Sequence, residues 1–257
     1  MENEGGNNIL SDITGLAKFT ARVVHHLLNP PFENREMIKQ CYHIGYKTLP
    51  LIAITAFILG LVLTLQSRPV LVDFGAETLL PGMISVSIVR EIGPVVTALI
   101  CAGKIGSGIG AELGSMKVTE QIDAMEVSGT NPMKFLVATR VLATTLMLPI
   151  LVFFADFISF IGSFIAVNLH GDISVQLFLS DAFAPLHFYD IIPATIKSFM
   201  FGFAIGVIGC YKGYQAGFGT EAVGRAANSA VVVASVAIFI IDMLVVELQH
   251  SMELLKF

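Results

Sequence analysis

Long apolar runs, each interrupted by few polar positions, occupy most of the chain beyond residue 44. A helix needs about 20 predominantly apolar residues to cross the hydrocarbon core of a bilayer. Five runs reach that length, at about Ile44–Leu65, Met83–Gly103, Val141–Val167, Ile191–Tyr211 and Ser229–Leu248. The pattern therefore predicts an all-α integral membrane protein with five transmembrane helices.

The segment before the first run has a two-sided pattern instead. Between residues 11 and 28, apolar side chains from Ile13 to Leu28 fall mostly on one helical face, and basic side chains such as Lys18 and Arg22 lie largely elsewhere. Such a helix is typical of the headgroup plane of a membrane. A soluble amphipathic helix packed on a partner is the alternative. We therefore expect a tail with an interfacial amphipathic helix over residues 1–34, followed by a five-span domain over 35–257.

Composition narrows the class of protein further. The apolar set makes up 54% of the 257 residues and charged residues only 14%, whereas soluble domains carry roughly 25% charged residues. Together with a net charge of −5, this excludes a disordered chain, a nucleic-acid-binding protein and an ordinary soluble enzyme. The cysteines and histidines show no metal-ligand spacing, so no metal site is predicted.

Basic residues predict the orientation in the membrane, because cytoplasmic loops are enriched in Lys and Arg. Eleven of them lie before the first run or at its start (Lys47), between the second and third, or between the fourth and fifth. The opposite side holds only Arg68 and Lys256. The N-terminus is therefore expected in the cytoplasm and the C-terminus outside.

Ionisable residues inside the predicted spans are a second unusual feature, because each costs about 2.5–3.5 kcal/mol on insertion scales. Counted along the helices, Arg90, Glu91, Lys197 and Asp242 fall at one depth in the outer half of the bilayer. This predicts a polar cluster that faces a cavity and serves as a gate or binding level for a substrate with a charged head. An ion-pair network that only fixes helix packing is the alternative. Asp156 lies nearer the middle of its span and is a weaker candidate.

The connection between the second and third runs, about residues 104–134, predicts a short helix at the cytoplasmic surface. Thr119 suits its N-cap and Gly129 its C-terminal end, which leaves about nine residues, roughly 14 Å. Acidic Glu120, Asp123 and Glu126 form one line, and apolar Ile122 and Met125 another. A short rigid helix of this kind suits docking to a soluble partner, although a solvated loop helix has the same pattern.

Closely spaced glycines precede that helix, at positions 103, 106, 108, 110 and 114. They follow no predicted strand, which argues against a dinucleotide-binding loop, and small residues instead favour close helix approach. No phosphate-binding loop of the G-x-x-x-x-G-K-[ST] type is present. Any ATP hydrolysis is therefore expected from another chain.

Several motifs in this region resemble the MlaE/YrbE permease family. They are REIGPVVTAL at 90–99, AGKIGS at 102–107, AELGSMKVTEQIDAME at 111–126 and GTEAVGRA at 219–226. The resemblance extends over roughly residues 35–246.

The resemblance implies an N-terminal elbow helix and five spans in the permease subunit of an ABC transporter of phospholipids, which works between the inner and outer bacterial membranes. It also implies a homodimer, a separate ATPase subunit that binds ATP and Mg²⁺, and an MCE-domain protein on the periplasmic face. A small cytoplasmic accessory subunit is a further candidate partner, whereas no cofactor is expected in this chain and no nucleic acid.

The resemblance also assigns roles to residues. The cluster of Arg90, Glu91, Lys197 and Asp242 would line the substrate path. Coupling to the ATPase would involve Glu112, Lys117, Thr119, Glu120, Gln121, Asp123, Met125 and Glu126. Apart from the resemblance, we hypothesise that the transport motion bends the chain at Pro94, Gly103, Gly106, Gly108 and Gly110.

Other functions are compatible with the same pattern. Intramembrane Asp, Glu and Lys residues also occur in ion-coupled transporters, although no internal repeat is evident. An intramembrane aspartyl hydrolase would need Asp156 and Asp242, which fall at different depths. On composition alone, a channel or a passive scaffold subunit is also compatible.

Overall fold

The computed structural model describes residues 3–28, 33–169, 171 and 173–254, and the regular structure in these ranges is helical. The helices are α1 (Asn3–Leu28), α2 (Asn34–Ile44), α3 (Leu49–Asp73), α4 (Leu80–Ser87), α5 (Gly93–Cys101), α6 (Ser107–Val118), α7 (Gln121–Val127), α8 (Thr139–Asn168), α9 (Val175–Phe183), α10 (Phe188–Tyr214) and α11 (Thr220–Leu254). Single π-helical turns at Ile88–Ile92, Ala102–Gly106 and Met133–Ala138 precede α5, α6 and α8.

Within the described ranges, five helical segments are long and apolar enough to span a membrane, which agrees with the predicted number. They cover Asn34–Asp73, Glu77–Val118, Met133–Asn168, Phe188–Tyr214 and Thr220–Ser251. Each extends beyond its predicted bounds. The second continues to Val118 because the glycine-rich stretch remains helical, so much of the predicted 104–134 insert belongs to this helix. Lys256, counted in the charge distribution, lies outside the described residues.

Contacts divide the chain into two compact units. The first comprises Met1–Ile44, Cys101–Thr145 and Gly202–Ala237, and the second comprises Gly45–Ile100, Leu146–Phe201 and Ile238–Phe257. Helices α8, α10 and α11 contribute residues to both. The division at residue 34 expected from the sequence stays a prediction.

In the first unit, α1 packs its central part on the end of α10. Phe19 and Val23 are buried, and the Phe19 ring lies 5.5 Å from that of Tyr211. Lys212 Nζ pairs with Asp12 Oδ2 at 2.7 Å. The apolar face predicted for this helix is therefore divided. Part of it, including Val23, is buried against the protein and is not available to the membrane.

Other apolar residues of α1 remain exposed. Ile13, Ala17, Ala21, Val24 and Leu28 share one exposed stripe. This stripe is the part of α1 that suits the headgroup region.

In the second unit, α3 and α8 approach at backbone distance through small residues. A Cβ atom added to Gly60 would overlap the carbonyl oxygen of Ser159, and one added to Gly162 would overlap that of Phe57. The Ser159 hydroxyl donates to the Ala56 carbonyl at 2.9 Å. Small residues and interhelical hydrogen bonds of this kind replace the hydrophobic effect in holding helices together within lipid.

The short helix α9 was not predicted from the sequence. Ser174 caps it by accepting a hydrogen bond from the Leu177 N–H, and its Phe178 and Ala182 are buried with Leu80 and Ile84 of α4. Its nine residues are too few to span a bilayer, which is why a search for long apolar runs does not detect it.

We expect Gly60→Ala to destabilise the chain by about 1–3 kcal/mol, the usual cost of overpacking a tight contact. The measurement is the midpoint of thermal unfolding in detergent. Gly224→Ala is the matched control, because the described residues leave open space around a Cβ there. Equal midpoints for the two variants would contradict the close packing of α3 and α8.

Candidate functional site

Three intramembrane charges of the second unit meet at one point. The ammonium group of Lys197 in α10 donates to Glu91 Oε2 and to Asp242 Oδ1, both at 2.8 Å. Only 1% of the Lys197 side chain is exposed, whereas 44% of the Glu91 side chain is accessible. The structure thus brings together three of the four residues predicted to cluster. We call Lys197, Glu91 and Asp242 the charge triad.

The fourth predicted member, Arg90, has a different partner. Its guanidinium pairs with Asp190 at 2.5 Å, and the other carboxylate oxygen of Asp190 accepts the His187 N–H at 2.8 Å. The prediction of a single four-residue cluster is therefore wrong in this detail. Adjacent residues of a helix point in different directions, so Arg90 and Glu91 reach different neighbours.

Asp190 is the site residue that sequence reasoning missed. It lies in the first turn of α10, just before the predicted start of the fourth span, and it is buried. An acidic residue in a first helical turn usually indicates only capping. No pattern in the sequence indicates that it pairs with Arg90, because the partner of a charge depends on contacts between residues far apart in the chain.

The charge triad carries two negative charges and one positive charge, so it is formally short of one cation. An ammonium group can only donate hydrogen bonds, so the acceptor capacity of the triad lies on its carboxylates, of which that of Glu91 is partly accessible. The arrangement can therefore accept hydrogen bonds from a cationic or hydroxyl-bearing head group.

A π-helical turn presents Arg90 and Glu91 to these partners. Ile88–Ile92 forms the turn, and the Gly93 N–H closes it by donating to the Ile88 carbonyl. Pro94 follows directly and has no N–H to continue the helical ladder. Turns of this type are frequent at functional sites.

Of the predicted hinge residues, some are tightly packed and others have open space around them. Gly103 and Gly106 lie in the second π-turn, and Pro94 follows the first. A Cβ on Gly110 would press against the Ala226 carbonyl at 3.3 Å, so this glycine permits close packing in the first unit. Around Gly103 and Gly108, by contrast, the described residues leave open space. The hinge role stays a prediction.

Asp156 is buried in α8, and its side chain forms no ion pair within the described ranges. Its carboxylate lies against Gly93, where an added Cβ would overlap Oδ1. Asp156 is therefore next to the π-turn although it is outside the charge triad.

The surface helix predicted in the insert is α7, with seven residues rather than about nine. Thr119 is not its N-cap: the Thr119 hydroxyl donates back to the Ser115 carbonyl at 2.8 Å, which ends α6. Glu120 takes the cap position in a left-handed conformation, with φ of 58°. A residue in the left-handed conformation between α6 and α7 therefore replaces the conventional cap.

The predicted end of this helix is confirmed. Gly129 has φ of +83°, and its N–H donates to the Glu126 carbonyl while the Thr130 N–H donates to the Met125 carbonyl. These two bonds form a Schellman motif, in which glycine is favoured because it has no Cβ.

Contacts on both sides hold α7 in place in the first unit. Ile122 is fully buried, Lys117 pairs with Asp123 at 2.7 Å, and the Tyr214 hydroxyl donates to Glu126 at 3.3 Å. Gln121 and Val127 remain exposed, Val127 to 90%. The helix thus has a supported side and an open apolar end.

Glu112, predicted to contact a partner, forms an internal ion pair. Its carboxylate accepts from Arg140 at 2.9 Å, and Arg140 also donates to the Leu136 carbonyl at 2.9 Å. The Arg140 side chain is only 2% exposed. This pair joins α6 to α8, the helices that precede and follow α7.

His26 of α1 lines a small cavity with Lys134 and Met37. Burial lowers the pKa of His26, and the charges of His25, Lys134 and Arg22 lower it further. The lowered pKa favours the neutral form of the imidazole. Among the described residues, no group of His, Cys, Asp and Glu is arranged to hold a metal ion.

Comparison with known proteins identifies the family. The model of the Permease MlaE family matches residues 37–248. A probable ABC transporter permease protein of Rickettsia prowazekii is 39% identical over 230 residues, 90% of this chain and 89% of the relative. The intermembrane phospholipid transport system permease protein MlaE of Haemophilus influenzae is 34% identical over 207 residues, 80% of this chain and 79% of the relative. This chain, a multi-pass membrane protein with buried charges in its spans, belongs to the MlaE permease family.

Proposed function

We propose that this chain is the membrane-spanning subunit of an ABC transporter that moves phospholipids between the inner and outer membranes of a bacterium. The charge triad is the observation that carries the proposal. A charged group inside a membrane is costly and usually marks a substrate path, and the partly accessible Glu91 offers a polar contact for a lipid head group. The name of the Haemophilus influenzae relative supports the same substrate class.

A separate ATPase subunit would supply the energy, and ATP and Mg²⁺ would be bound there. Helix α7 is the proposed contact with this ATPase. It is anchored by the buried Ile122, and it exposes the apolar Val127 at its C-terminal end. The contact would include Lys117, Thr119, Glu120, Gln121, Asp123, Met125 and Glu126. Through Glu112 and Arg140, movement of α7 would reach the helices on both sides of it, α6 and α8.

The proposed topology places the N-terminus in the cytoplasm and the C-terminus in the periplasm, in agreement with the distribution of Lys and Arg. The chain would act as a homodimer in the bacterial inner membrane. An MCE-domain protein would bind its periplasmic face, and a small accessory subunit could bind on the cytoplasmic side.

In the proposed cycle, closure of the ATPase subunits moves α7, and this motion reaches the second and third spans. The π-turns and Pro94 would provide the bending points, because their backbone hydrogen bonding is already irregular. The charge triad would hold the lipid head group, and apolar side chains the acyl chains.

Gentle purification of the tagged chain tests the assembly. We expect an ATPase with a phosphate-binding loop and an MCE-domain protein to copurify. If the chain purifies alone and transports lipid under a proton gradient without ATP, the ion-coupled alternative is correct instead.

We expect Glu91→Gln to slow lipid transfer by the reconstituted complex about tenfold or more, as for loss of a charge-assisted hydrogen bond. The amide can still accept from Lys197, so assembly should survive. Arg225→Gln, which changes an exposed i,i+4 pair, serves as the control. Normal transfer by the Glu91 variant would show that the triad only fixes helix packing.

We expect Val127→Asp to weaken copurification of the ATPase about tenfold. Burying the new carboxylate in an interface without a partner would cost free energy that burying the valine does not. The thermal stability of the chain should not change, since the side chain is 90% exposed. Val127→Thr, of similar shape, should retain the ATPase. Undiminished binding by the aspartate variant would exclude the end of α7 from the contact.

A further inference from the structure

Asp156 is a buried polar side chain that the proposed transport cycle does not use. It is 6% exposed, and its Oδ1 atom has no hydrogen-bond partner within the described residues. It lies within the third membrane span. An ionised carboxylate without a partner is costly in such a place.

What Asp156 contacts is specific. Its carboxyl group lies where the Cβ atom of a side chain at Gly93 would otherwise be, and that Cβ position is 2.8 Å from the Ile88 carbonyl oxygen. Gly93 closes the π-turn that carries Arg90 and Glu91. Glycine at position 93 thus lets a carboxyl group approach the backbone of this turn.

The backbone of this turn also has a carbonyl group that can accept a further hydrogen bond. Pro94 has no N–H, so a carbonyl of the preceding turn lacks its usual helical donor. In lipid, a backbone group without a partner costs several kcal/mol. A neutral carboxylic acid has one O–H that can donate to such a carbonyl, whereas a carboxylate can only accept.

We propose that Asp156 is a positioning residue that acts as a neutral acid and donates a hydrogen bond to the backbone of the Ile88–Gly93 turn. This bond fixes the turn and so directs Glu91 toward Lys197 and Arg90 toward Asp190. The importance of this positioning for transport rests on the proposed function, whereas the hydrogen bond itself does not.

The protonation state is tested directly by infrared spectroscopy of the reconstituted complex. The difference spectrum between wild type and Asp156→Asn should contain the C=O stretch of a protonated carboxylic acid, shifted in heavy water. Asp73→Asn, at an exposed aspartate, should give carboxylate bands. If Asp156→Asn also gives carboxylate bands, the proposal is overturned whatever the transported substrate is.

Paired substitutions test the positioning role. Asp156→Asn keeps the volume and a donor, so lipid transfer should stay within about twofold of wild type. Asp156→Leu removes the donor and should slow transfer about tenfold to a hundredfold, as small misplacements of active groups do. Undiminished transfer by an assembled Leu variant, or equal loss in both variants, would overturn the proposal.

Discussion

The ammonium of Lys197 is the charge on which the second unit depends. It is buried in an apolar span and is stable there only because Glu91 and Asp242 both lie 2.8 Å away. Removing one partner of a buried pair typically costs 3–5 kcal/mol. The three helical segments that carry the charge triad must therefore keep these side chains at one level. Glu91 lies in the π-turn before α5, so this turn determines its position.

The first unit contains a comparable constraint, a buried arginine that pairs α8 with α6. Arg140 is almost fully buried and is held by Glu112 and the Leu136 carbonyl. Because this pair joins α6 to α8, α7 is presented between two connected helices as a rigid feature instead of a flexible loop. Rigidity of this kind suits a helix that transmits movement, because a loose connection would absorb it.

Irregular backbone occurs where these charges are placed. The π-turns at Ile88–Ile92 and Ala102–Gly106 interrupt one continuous span, and Gly93 admits the Asp156 carboxyl to the first of them. Non-helical backbone within a membrane survives only if its polar groups are satisfied locally. Polar side chains and helical irregularity are thus two parts of one arrangement.

The sequence by itself determined the number of spans, the depth of Lys197, Glu91 and Asp242, and the glycine that ends α7, because these depend on local composition and helical rise. Tertiary structure alone decided that Arg90 pairs with Asp190, that Glu112 pairs with Arg140, and that Glu120 replaces Thr119 at the start of α7. A depth along a helix follows from 1.5 Å per residue. The direction of a side chain and the identity of its neighbour depend on helix rotation and on contacts between residues far apart in the chain, which no local pattern contains.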